Sequence, residues 1–208
     1  MSSSDILRIT SGTINGVNDA LIGTAGAPNG GPLRSHFAGQ LGKTIDLNDD
    51  DVVYNAATGT VYGGRFQYVR LAAASTAVAL GQIVFWDNSV ANNLYQVTTT
   101  EGSPSSTLGS TLIAGIVLNP SWTPGNYGII QILGTVAVKF IATLTVAGTA
   151  GCPVYAGNKG AGVDNGLADV ITTDATSPVN ARFLGKAVAA PTNGGTSLVD
   201  LAIAGSRF

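Results

Sequence analysis

The chain is short of ionised side chains. Charged residues occupy 11% of its 208 positions, less than half the roughly 25% of an ordinary soluble domain. Ten Lys and Arg stand against twelve Asp and Glu, for a net charge of −2. A nucleic-acid surface must neutralise phosphates with clustered cations, and ten scattered ones form no such patch. Cysteine is almost absent: Cys152 stands alone, which excludes a disulfide scaffold and a thiolate metal cluster. Histidine is represented once, by His36. An intrinsically disordered chain needs low hydrophobicity and high charge, yet 45% of these residues are apolar. What remains is a neutral, Gly-rich globular chain, long enough to bury a core.

Long uninterrupted hydrophobic runs are also missing, although mean hydropathy is +0.30. The most apolar window, Leu133–Gly151, carries Lys139 near its middle, which costs roughly 2.5–3.5 kcal/mol on membrane insertion. Its pattern is that of a strand. Val136, Val138, Phe140, Ala142, Leu144 and Val146 fall on even positions, so period two predicts a strand or hairpin with one face in a core. The start, Met1 to Asp5, lacks the basic and apolar regions of a signal peptide. Neither a membrane span nor a secretion signal is expected.

Residues 1–64 differ from the rest. Glycines punctuate short polar pieces, Asn29-Gly30-Gly31-Pro32 reads as a turn, and Leu7, Ile9, Leu21, Ile22 and Leu41 come in ones and twos. Such spacing is too sparse for a core and suits an extended Gly-rich arm that orders against a partner. Residues 65–208 read as the body. Phe66–Leu71, Gln82–Trp86, Leu94–Val97, Leu112–Leu118, Tyr127–Leu133, Cys152–Tyr155, Ala181–Ala189 and Ser197–Ile203 have strand patterns bounded by turn residues. No window shows helical period, one turn around Thr76–Leu80 excepted. The expectation is an all-β body, a small β-barrel or β-sandwich.

No charged residue occurs from Gly102 to Val138, nor from Phe140 to Asn158. Free β proteins keep charge on exposed faces and edges, whereas interface cores are depleted of it. The uncharged runs therefore point to a surface covered in an assembly, with a solvated Ser/Thr/Asn surface as the plainer alternative.

Motifs for chemistry fail one by one. Gly42-Lys43-Thr44 resembles the end of a phosphate loop, but the first Gly it requires is Phe37. Asp46-Leu-Asn-Asp-Asp-Asp51 has oxygen ligands at Asp46, Asn48 and Asp50. Its sixth position is Asp51 instead of Gly, and its twelfth is Ala57 instead of Glu, so a solvated acidic turn outweighs a weak shared ion site. His36 has no nucleophile elbow to serve, and Cys152 reads as a small buried side chain. No enzyme, metal or cofactor is expected. Trp86, Trp122, Tyr127 and Tyr155 raise the question of a sugar-binding face, although packing comes first for aromatics on strands. Trp122, in a turn between two prolines, and Tyr127 are the candidates in the body for an exposed contact.

Several Gly-based motifs resemble those of tailed-phage head decoration (cement) proteins: Leu71–Trp86, Leu112-Ile-Ala-Gly-Ile116, Pro124-Gly-Asn-Tyr-Gly128, Ala147-Gly-Thr-Ala-Gly-Cys-Pro-Val154 and Phe183-Leu-Gly-Lys-Ala187. The resemblance covers about residues 65–204 and leaves the arm unmatched. It implies a small β protein, a homotrimer, on the outer surface of an icosahedral phage head. There it would bind the major capsid protein at subunit junctions and stabilise the shell without enzymatic activity. The expectation is a virion structural protein, with Leu7, Ile9, Leu21, Ile22, Leu41, Trp122 and Tyr127 as contact residues. No nucleic-acid or membrane partner is expected. The alternative is a tail fibre, spike or baseplate domain that binds glycans.

Overall fold

The computed structural model describes residues 41–42, 44–47, 64–87, 95–99, 112–118, 121–156, 166–170 and 182–203. Among them there is no helix, so none that could cross a membrane. The strands are β1 (Thr44–Leu47), β2 (Gly64–Leu71), β3 (Val78–Ala79), β4 (Ile83–Trp86), β5 (Gln96–Thr98), β6 (Ile113–Val117), β7 (Ser121–Trp122), β8 (Tyr127–Lys139), β9 (Pro153–Ala156), β10 (Ala168–Asp169), β11 (Arg182–Ala187) and β12 (Thr196–Ala202). Ten of them form one mixed sheet in the order β1-β2-β5-β4-β6-β8-β12-β11-β9-β10, with an additional β2–β8 pairing; β3 and β7 form a separate ribbon. The all-β expectation holds. The barrel alternative does not, because the sheet curls without closing into a regular barrel. Its β2–β5 contact is parallel and only two residue pairs long, while four strands extend beyond β8 as a wing.

The curl produces two cores. Val69, Leu71, Val84, Trp86, Val97, Ala114, Val117, Ile130 and Ile132 point inward from β2, β4, β5, β6 and β8, and the β3–β7 ribbon adds Val78 and Trp122. The alternate residues of the same strands, among them Phe66, Tyr68, Ile83, Phe85, Ile116 and Ile129, join a second cluster. The wing completes it with Val154, Ala156, Ala168, Leu184, Ala187, Val199 and Leu201. Strands buried on both faces need near-continuous apolar sequence, which explains the runs Ile83–Trp86 and Ile113–Val117, in which every residue is buried.

Strand β8 joins the two parts, and its register changes midway. Its residues 127–134 pair with β2, and its residues 133–139 pair with β12. A bulge lies opposite Arg65 and Phe66, and Gly134 follows with φ +92°, a conformation that favours glycine. Beyond it the faces exchange: Ile130 and Ile132 serve the first core, whereas Val136 and Val138 serve the second. Gln131 sits at this bulge, fully buried, and its amide Nε2 donates to the carbonyls of Leu133 at 3.1 Å and Thr135 at 3.2 Å.

Three local expectations need correction. The alternating stretch continues as a strand only to Lys139; after a bridge at Phe140 the chain is irregular to Cys152. Ile141, on the face expected to meet solvent, is buried, while Ala142 is exposed. The segment takes its hydrogen bonds singly from β10, the end of β11 and residues 192–195, so ladder periodicity no longer governs it. Second, Tyr95 is a turn residue with φ +62°, not part of a strand. Its ring packs edge-on to Trp86, with centroids 6.3 Å apart, a tertiary contact that offsets the cost of this backbone conformation. Third, the region allowed a helical turn forms β3 instead.

Candidate functional site

Leu7, Ile9, Leu21 and Ile22, together with His36 and most of the Asp46–Asp51 turn, lie outside the described residues. Leu41 is described and is half-buried against the second core. Strand β1, within the segment assigned to the arm, pairs antiparallel with β2, Thr44 opposite Gln67 and Leu47 opposite Gly64.

Trp122 is not an exposed contact. Its ring is 2% accessible, and Nε1 donates to the Asn126 carbonyl at 3.0 Å. Trp86 is buried as well, so two of the four aromatics considered for a sugar face have no face to offer. Cys152 is half-buried instead of fully enclosed, with its side chain against the second core.

Tyr127 is accessible at 39%. It stacks on Tyr68 with centroids 5.7 Å apart, and the Arg70 guanidinium carbon lies 5.9 Å from its ring centre. Arg70 is held by a bond from Nε to the Gly125 carbonyl at 3.2 Å. The geometry makes a small amphipathic patch: an aromatic face fixed by a buried ring and flanked by a tethered cation.

Sequence reasoning missed a second surface, the outer face of the wing. Leu133 and Phe183 are exposed at 49% and 42%. Phe183 lies directly opposite Tyr155 across β11 and β9, with the rings edge-on at 5.8 Å. Lys186 and Asp200, also exposed, face each other across β11 and β12. The signal was present in Tyr155 and Phe183, but their pairing depends on a bulge between Phe183 and Gly185. A Cβ at Gly185 would collide with the Asp200 carbonyl oxygen.

The third surface is the irregular end beside β12, where residues 141–152 lie along residues 187–195. Gly194 N donates to the Ile141 carbonyl at 2.7 Å, Phe140 N to the Gly195 carbonyl at 2.9 Å, and Gly151 N to the Ala187 carbonyl at 2.7 Å. From beneath, the Asp169 carboxylate, 1% accessible, accepts from Thr145 N at 2.9 Å, from the Thr145 hydroxyl and from Val170 N at 2.8 Å. Among the described residues no group of three metal-ligating side chains comes together.

No protein-family model matches the chain, and no curated protein matches it. Among solved structures it is similar to the N base of the head fibre protein gp8.5 of bacteriophage phi29, at 12% identity and a TM-score of 0.38. The overlap covers 69% of this chain and 98% of that one. A superposition this loose carries no inference about function.

Proposed function

We propose that this protein is a structural, non-enzymatic component of a phage virion, a decoration protein that binds the outer surface of the head at junctions of the major capsid protein. The observation that carries the reading is where the resemblance motifs lie in the fold. Leu112–Ile116 leads into and occupies β6, Pro124–Gly128 turns into β8, Ala147–Val154 enters β9, and Phe183–Ala187 fills most of β11. They are the turns and strands of one all-β body, in chain order. Two exposed aromatic patches, at Tyr127 and at Tyr155–Phe183, add surface of the kind that anchors protein contacts.

The mechanism is burial. A protomer that spans a seam between shell subunits adds its own interface to what must be broken when the seam opens. An interface of about 800 Å² per partner, roughly half apolar, has a gross gain on the order of 10 kcal/mol before the entropy of association is subtracted. Self-association into a trimer would multiply weak contacts through effective concentration.

The test is addition of purified protein to heads that lack it, with occupancy read by negative-stain imaging and co-sedimentation. Saturable binding, with heads that rupture at a higher temperature, is the expected result. Absence of binding sinks the reading. Tyr127→Ala should lower occupancy at least tenfold while costing the fold only about 1 kcal/mol, because it removes one stacked pair at the surface.

A further inference from the structure

We propose that Tyr95 and Gly42 form a clasp that fastens a strap, made of Leu41, Gly42 and β1, to the body. The clasp thereby positions the residues before Leu41 for the shell. That last step rests on the proposed function; the clasp itself does not.

Strand β1 ends the ten-stranded sheet and pairs with β2 alone. It shares one edge of β2 with β5, the two lying end to end. β1 covers Gly64–Gln67, and the parallel β5 covers Arg70 and Leu71. Between them two backbone bonds carry the edge across. Gly42 N donates to the Tyr68 carbonyl at 2.8 Å, and Arg70 N to the Tyr95 carbonyl at 3.0 Å. Gly42 and Tyr95 meet at that junction.

Both have left-handed backbones, with φ +85° at Gly42 and +62° at Tyr95. Glycine adopts this region freely, whereas for a bulky aromatic it is strained and persists only where surrounding contacts hold it. The contacts of the ring supply that hold. It lies edge-on to buried Trp86 and directly against the Gly42 backbone, where a Cβ would collide with its Cε2, Cζ and Cδ2. From the body, buried Gln67 donates from Nε2 to the Gly42 carbonyl at 3.0 Å. Gly42 is gripped by its N–H, by its carbonyl and by its bare Cα.

The rest of the strap has less to hold it. Of its described side chains, Thr44 is exposed and Leu41 is only half-buried. A short edge strand of this kind opens locally at lower free energy than strands enclosed in a core. The ring of Tyr95 sets how often it does so. Tyr95 is a positioning residue, acting on the chain that precedes Leu41 through the strap.

Amide hydrogen exchange of the full-length protein tests the clasp, read at Gly42 and Thr44–Leu47 with β8 and β12 as references. Tyr95→Ala should speed exchange of the strap by about tenfold or more while the references keep their rates. Tyr95→Phe should change neither, because the ring and not the hydroxyl makes the contacts. Gly42→Ala should also loosen the strap, but less so in a chain already carrying Tyr95→Ala, where the ring is out of the way. If Tyr95→Ala fails to fold, Tyr95→Gly takes its place: it removes ring and strain together and should loosen the strap with Tm retained. Unchanged strap exchange without the ring overturns the clasp, as does loosening that spreads equally to β8 and β12. On heads that bind the unmodified protein, Tyr95→Ala should lower occupancy by roughly threefold or more, since a loose strap costs more to order. Full occupancy with a loosened strap overturns the positioning role. Failure of the unmodified protein to bind heads counts against the proposed function, and the exchange rates still decide the clasp.

Discussion

At the scale of single residues, buried polar groups act as fasteners for irregular backbone. The Asp169 carboxylate, itself buried, accepts from two backbone N–H groups and one hydroxyl and so ties two irregular segments together. Asp169→Ala should therefore lower stability by about 2–4 kcal/mol, read as a shift in denaturant midpoint; a loss under 0.5 kcal/mol contradicts the fastening role. Gln131 plays the same part for the β8 bulge, donating to the Leu133 and Thr135 carbonyls beside it. Trp122 is a packing residue, and Trp122→Ala should cost about 3–5 kcal/mol, far more than truncation of the exposed Tyr127. The sequence placed both residues near one turn and could not separate them. Their fates diverge because the ribbon partner Val78 brings Trp122 over the first core, while Tyr127 starts β8 facing outward.

At the scale of elements, apolar runs and turn residues located β2, β4, β6, β9, β11 and β12 nearly in place. Errors cluster where hydrogen bonding passes from ladders to loops. Val136 and Val138 do lie on one buried face, but Leu144 and Val146 continue the even pattern without a strand beneath them. Val146 N instead donates to the Val170 carbonyl at 3.2 Å. Bulges were equally invisible, since a two-residue period carries no mark of one inserted residue. The bulge in β11 makes a specific demand. Gly185→Ala should cost more than about 2 kcal/mol, or detach β11 from β12, because the added carbon meets the Asp200 backbone and not a side chain that could yield. Hydrogen exchange of the β11 amides checks it: protection equal to the unmodified protein's would contradict the close approach.

At the scale of the whole molecule, the two uncharged runs turn out to have different causes. Most of the described part of Gly102–Val138 is interior: β6 is buried throughout, and so is most of β8 up to Ile132. Within those strands the lack of charge follows from burial on two faces. The second run, with residues 142–151, leaves a longer uncharged stretch in the open, whereas the described part of the first exposes single positions such as Thr123, Tyr127 and Leu133. The arm adds a prediction at this scale. Removing residues 1–40 should reduce occupancy on heads while the body, with its own two cores, keeps its thermal transition; unchanged occupancy would take those residues out of the mechanism.

The amino-acid sequence by itself determined that this is an all-β chain, because period-two patterning, β-branched runs and Gly-rich turns are local properties that no helix can satisfy. It also determined that the chain is poor in charge, which is composition alone. Only the tertiary structure decided which uncharged residues are interior and which are open. That depends on the curl of the sheet around β8, and on a bulge and a left-handed glycine that exchange its two faces. Burial is a property of what lies across a sheet, and what lies across it comes from strands remote in the chain.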